Sequence, residues 1–145
     1  MSALTDWTEN TLHVTDDPGA VDIDFVVHML RTSYWASARP REVIEASWRA
    51  SLPFTMFDGE QRIGFARAVT DLATFSWIAD VVVHPDHRGR GAGRFLMRCV
   101  TEHPDLASTK ICLATRDAHS FYESIGFTRG EAMWKWPAGM SGPTG

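Results

Sequence analysis

The run His87-Arg88-Gly89-Arg90-Gly91-Ala92-Gly93-Arg94 sets three glycines and three arginines within eight residues. Glycine lets a backbone approach a ligand closely, and a loop that opens a helix presents unpaired N–H groups and the positive helix end to an anion. Arginines around it add charge-assisted contacts, so the chemistry on offer is capture of a small polyphosphate. A dinucleotide fingerprint laid from Gly89 needs glycine at position 94, where Arg94 stands, and laid from Gly91 it needs glycine where Leu96 stands. No Gly-Lys-Ser/Thr ending is present either, which removes the P-loop. A second chemical oddity is Asp80, a carboxylate inside the apolar run Trp77-Ile78-Ala79-Asp80-Val81-Val82-Val83. Burying it is costly without purpose, so it is either a catalytic base or a satisfied structural carboxylate that caps a backbone or pairs with Arg67. His84, His87, His103 and His119 lack the cysteine pair or His-Glu-x-x-His spacing of a zinc site, so no metal is expected.

The elements that must position these residues follow from periodicity. Residues 11–15 read as a short strand closed by the turn cluster Asp16-Asp17-Pro18-Gly19. Ile23, Val26, Val27, Leu30 and Tyr34 recur at helical spacing, and a second helix carrying Val43, Ile44 and Trp48 starts at Pro40. Residues 53–57 and 62–70 form a hairpin around Asp58-Gly59-Glu60-Gln61, and residues 74–83 a third, more buried strand. After the glycine loop, Phe95, Leu96, Cys99 and Val100 mark the face of a helix that ends before Pro104. Residues 110–114 are β-compatible, residues 117–125 form a short helix stopped by Gly126, and residues 127–136 supply a last strand or hairpin. The tail, residues 137–145, is expected to fray. This order requires a mixed, mostly antiparallel sheet with a parallel pair reached over the central helix, hence an α+β fold.

The chain has 145 residues, 44% of them hydrophobic, which suits one domain with a real core. Six Trp and eight Phe exceed what a minimal core needs, so aromatic surface lines a cavity or a subunit contact, and a homodimer is one expectation for the assembly. A net charge of -4 argues against a nucleic-acid binder. Positive charge is local, with Arg88, Arg90, Arg94 and Arg98 on the loop and the segment after it. Cys99 and Cys112 sit in apolar runs, residues 1–16 do not read as a secretory leader, and no run of about 18 apolar residues occurs. A cytoplasmic protein without membrane contact is expected.

At the glycine loop the chain resembles the GNAT superfamily of N-acetyltransferases, whose donor signature Arg/Gln-x-x-Gly-x-Gly/Ala is met by Arg88, Gly91 and Gly93. Val81-Val82-Val83-His84-Pro85-Asp86 resembles the strand and Pro-containing link that precede that signature. Ala118 and Phe121-Tyr122-Glu123-Ser124-Ile125-Gly126-Phe127 resemble the family's second motif, and the likeness spans residues 12–136. The resemblance implies a GNAT-like fold and acetyl-CoA as cosubstrate. It implies that the backbone of Gly89, Arg90, Gly91, Ala92, Gly93 and Arg94 holds the pyrophosphate, with Arg88 beside it. It further implies that Val81, Val82 and Val83 pair with the pantetheine arm as another strand would, where two strands splay apart. Thr115 stands where many members carry an Asn that contacts the pantetheine.

The reaction implied is direct transfer of an acetyl group to a primary amine, on a small molecule or a peptide, in a ternary complex. Tyr122 matches the tyrosine that such enzymes place beside the CoA sulfur and is the candidate acid; its other reading is core packing under the last helix. Asp80 or a water chain is the candidate base, because the segment Thr109-Lys110-Ile111-Cys112-Leu113 lacks the Glu some relatives use. Tyr34, Trp35 and Arg39, in the link between the first two helices, are candidates for the acceptor wall, with Arg67 and Asp71 weaker ones. The alternative function is a non-catalytic acyl-CoA-binding or protein-interaction module on the same fold.

Overall fold

Alternating apolar residues build a six-stranded sheet whose strands follow chain order from one edge to the other, in a computed structural model that describes residues 4–140. The strands are β1 (Asp6–Glu9), β2 (Leu12–Thr15), β3 (Leu52–Asp58), β4 (Gln61–Thr70), β5 (Phe75–Val83) and β6 (Lys110–Cys112). The first five pair antiparallel, and β6 joins β5 in parallel. The helices are α1 (Ile23–Leu30), α2 (Arg41–Arg49), α3 (Ala92–Glu102) and α4 (His119–Ser124). This is the mixed α+β sheet that the order of elements requires.

Two apolar clusters enclose the sheet. On one side Phe95, Leu96, Cys99 and Val100 of α3 pack with Val14, Phe54, Met56, Ala66, Ala68 and Ile78, and Phe121, Tyr122 and Ile125 lean on the same cluster. On the other, Val26 and Leu30 of α1 and Ile44 and Trp48 of α2 cover Phe65 and Val82. The strand period of two delivers β4 and β5 side chains to both layers. Asp22 caps α1 by accepting from the amides of Asp24 and Phe25, while Pro40 opens α2.

Two elements differ from the sequence reading. The hairpin partner β1 precedes the strand expected at residues 11–15; Asn10, at φ 55°, and Thr11 turn the chain between them. The last strand or hairpin expected over residues 127–136 does not form, and the segment runs irregularly. β6 offers it an edge of only three residues. Side-chain contacts draw the segment elsewhere: Arg129 pairs with Glu123 of α4 at 3.3 Å, and Trp134 meets Trp77 edge to face at 5.6 Å. Of the tail expected to fray, residues 141–145 lie outside the described residues.

Candidate active site

The parallel pairing of β5 with β6 covers only Phe75, Ser76 and Trp77 against Lys110, Ile111 and Cys112. Beyond that point the strands separate, leaving Asp80, Val81, Val82 and Val83 without a β6 partner. A cavity of about 130 Å³ occupies the split, lined among others by Asp80, Val81, Thr115, Ala118 and Tyr122. At the same place β5 bulges: Phe65 faces Val82 and Arg67 faces Ala79, so Ala66 opposes both Asp80 and Val81. Asp80 takes a left-handed φ of 56°, uncommon for a residue with a side chain.

Asp80 is buried and fully engaged. Oδ2 accepts from Arg67 Nε at 2.7 Å and from Arg39 Nη1 at 2.9 Å, and Oδ1 accepts from Trp35 Nε1 at 2.9 Å. Burial is the largest single influence and disfavours the anion, but the charges of Arg67 and Arg39 with the indole bond outweigh it, so the pKa lies below the ordinary 3.8. A carboxylate so held is a weak proton acceptor, and its geometry corresponds to the structural pairing with Arg67 rather than to a base. Arg39 and Arg67 face this carboxylate and line neither cavity, and Arg67 also donates to Ser51 Oγ at 3.1 Å. Trp35 lines the smaller cavity while its indole holds Asp80, whereas Tyr34 lines both cavities and accepts a hydrogen bond from the Arg116 amide at 2.9 Å. Asp71 anchors the turn before β5, accepting from the amides of Ala73, Thr74 and Phe75 and from the Thr74 hydroxyl. Those bonds, led by the Thr74 hydroxyl, hold its pKa far below the ordinary carboxylate range, and it lines neither cavity.

The glycine loop leads from the end of β5 into α3. Gly89 and Gly91 take φ of 80° and 77°, the left-handed turn that brings the chain into the helix. Among the described residues, none of the amides of Gly89, Arg90, Gly91, Ala92, Gly93 and Arg94 donates to a protein acceptor. Gly93 lies over Phe121 and Val83, where an added Cβ would make ordinary contact. Arginines fasten this loop on three sides. Arg88 donates to the Val83 carbonyl at 3.0 Å, Arg90 to Asp58 at 2.7 Å and Arg94 to Ser124 Oγ at 3.0 Å. Hydrogen bonds from Arg90 and Thr11 hold the Asp58 carboxyl below its ordinary range, and His87 stands 3.2 Å from it. The Asp58 anchor is absent from the sequence reading because 32 residues separate it from Arg90.

Tyr122, on α4, lines both cavities, and no hydrogen bond from its hydroxyl is formed among the described residues. Burial first, then nearby Tyr34 and Asp117, push its pKa to about 12. Thr115 Oγ1 accepts from the Ala118 amide at 3.0 Å, leaving its own hydrogen to donate. A larger cavity of about 710 Å³ adjoins the first at Tyr34, Thr115 and Tyr122 and extends to Phe75, Trp77 and Trp134. Among the described residues no group of three or more His, Cys, Asp or Glu is arranged to hold a metal.

The sheet thus splits beside a run of amides, residues 89–94, that donate to no protein acceptor among the described residues. The acetyltransferase (GNAT) domain family matches residues 50–129, more than half of the chain. A protein of known structure from Xanthomonas campestris pv. campestris that belongs to the GNAT family is 36% identical, with a TM-score of 0.82 over 89% of this chain and 95% of that one. This chain belongs to the GNAT family of acetyltransferases. A GNAT-family acetyltransferase from Streptococcus pneumoniae shares the fold at 22% identity, with a TM-score of 0.66 over 92% of this chain and 98% of that one. An N-acetyltransferase of Porphyra purpurea, ycf52, uncharacterized, is 39% identical over 69 residues, which are 46% of this chain and 40% of that protein.

Proposed function

We propose that the protein transfers an acetyl group from acetyl-CoA directly to a primary amine within a ternary complex. The observation that carries this reading is the row of amides at residues 89–94 that have no protein partner among the described residues, opening α3 beside the end of β5 that β6 leaves unpaired. Those amides would hold the pyrophosphate with the helix end behind them, and Val81, Val82 and Val83 would pair with the pantetheine arm. The thioester then lies between the β5 bulge and Tyr122. An amine nitrogen attacks the carbonyl carbon, the tetrahedral oxyanion takes a backbone N–H at Val82 or Val83, and the C–S bond breaks.

Tyr122, held protonated by its raised pKa, donates a hydrogen bond to the departing sulfur. With a thiol pKa near 8.5, full transfer from a phenol near 12 is uphill by about 5 kcal/mol, so the phenol stabilises the thiolate, and the proton that completes the thiol comes from the amine. A water chain removes that proton, because Asp80 is occupied by Arg39, Arg67 and Trp35. Asp80 instead fixes the bulge and the link between α1 and α2. The acceptor enters from the side of Tyr34. No described helix is long and apolar enough to cross a membrane, and a cytoplasmic location and a homodimer complete the reading.

Calorimetric titration with acetyl-CoA and free CoA tests it first, followed by CoA release over a panel of amines. Saturable uptake with amine-dependent release is expected. Uptake without release from any amine would favour a binding module, and no uptake by folded protein would end the proposal.

A further inference from the structure

The 710 Å³ cavity lies within the 300–1,000 Å³ span of small-molecule sites. Its far wall is aromatic. Trp77 and Trp134 meet edge to face at 5.6 Å and 81°, and Trp136 stacks on Trp134 at 5.9 Å. Phe75 is 40% exposed and Trp134 50% exposed, beside a cavity both of them line. Rings of this size left open to solvent around one cavity are ligand-facing surface more than core. Trp77 comes from β5 and Trp134 from the irregular segment, so two unrelated stretches bring indoles to one place. Trp77 precedes the bulge at Asp80 by three residues, about 10 Å along a strand, the reach of an aromatic ring with a short alkylamine arm.

We infer that the acceptor is a small primary amine carried on an aromatic ring, bound with the ring against Trp77 and Trp134 and the amine directed to the cavity junction at Tyr122. This rests on the transfer reading above. In the step itself the amine nitrogen forms the new bond to the acetyl carbon, the carbon–sulfur bond breaks with its electron pair going to sulfur, and the proton lost by nitrogen completes the CoA thiol. Arg116 stacks on Tyr34 at 3.9 Å beside the same cavity, so an aromatic amino acid could also set its carboxylate there.

The test compares CoA release with 2-phenylethylamine, phenylalanine and hexylamine, the last matching apolar bulk without a ring. The expected kcat/KM for the better aromatic amine exceeds that for hexylamine at least about fivefold, in keeping with ring–ring contact beyond simple burial. Trp134→Ala, at a half-exposed ring, is expected to bring that ratio near one while acetyl-CoA affinity by calorimetry is unchanged. If phenylalanine is the better acceptor, Arg116→Ala is expected to raise its KM and to spare 2-phenylethylamine. Equal use of hexylamine, or a ratio that survives Trp134→Ala, would overturn the inference with the transfer reading intact. If acetyl-CoA is not taken up at all, the transfer reading falls, and calorimetry of 2-phenylethylamine on the protein alone decides the aromatic site: uptake lost in Trp134→Ala supports it, and no uptake overturns it.

Discussion

Arg67 Nε lies 2.7 Å from Asp80 Oδ2, a charge pair that ties the middle of β4 to the bulge of β5. Arg39 closes on the same carboxylate from the link between α1 and α2, so one buried anion fastens three parts of the chain. Removing it would strand two guanidinium groups that are mostly shielded from water, with side chains 20% and 13% exposed. Asp80→Asn is expected to lower stability by about 3 kcal/mol, read as a shift in the urea midpoint.

The same pair sets an acid limit. The pKa of Asp80 is lower in the folded chain than its ordinary 3.8, so below that ordinary value the unfolded chain binds the extra proton. Its contribution is whole above about pH 5 and declines as pH falls through 3.8 and then through the lowered folded value. Urea midpoints measured between pH 5 and 2.5 should fall more steeply for the native protein than for Asp80→Asn; parallel curves would remove this role.

Tyr122→Phe is expected to reduce kcat about 100-fold with little change in KM for acetyl-CoA, because the proposed hydrogen bond to the departing sulfur is lost. Because the phenol stays protonated up to about pH 12, it should impose no falling limb below pH 10 on the native rate profile. Unchanged kcat in the variant would leave Tyr122 a packing residue.

Gly91→Ala places a Cβ at φ 77°, where the open space around it does not relieve the backbone strain of about 1–2 kcal/mol. The loop should relax by turning its amides, and acetyl-CoA affinity by calorimetry is expected to drop about tenfold or more. An unchanged Kd would count against the amide nest.

His103 forms a second buried pair, its Nε2 2.8 Å from Asp16 Oδ2. Its Nδ1 accepts from the Asp105 amide at 3.0 Å, so Nε2 carries the proton and donates. His103→Leu leaves the Asp16 carboxylate buried with the Thr5 amide as the one remaining partner of its side chain among the described residues, and a loss of about 3 kcal/mol in a urea titration is expected.

Short-range signals are legible in the chain itself. The glycine loop and α3 are readable because turn chemistry and helical period lie within twenty consecutive residues. The β3–β4 hairpin is likewise marked by Asp58-Gly59, with Gly59 at φ 60°. Arg67 as a partner for Asp80 is readable because hairpin pairing places β4 opposite β5, whereas Arg39, 41 residues away, answers to no local pattern. The Asp58–Arg90 and Asp16–His103 contacts are hidden for the same reason. β1 escapes notice because the Asn10-Thr11 turn lacks the glycine that usually marks a tight hairpin. Residues 127–136 mislead in the opposite sense: their alternation suits a strand, but the neighbouring edge is too short to take one.

β1 with β2, and β3 with β4 and β5, follow one another as hairpins, whereas β3 is reached from β2 through α1 and α2 and β6 from β5 across α3. The β5–β6 pairing is parallel and only three residues long, so the mouth of the cleft should be among the first parts of the sheet to open. Acetyl-CoA bound there would act as a clasp as well as a reactant, and amide hydrogen exchange in residues 110–112 should slow more on its addition than exchange in β3.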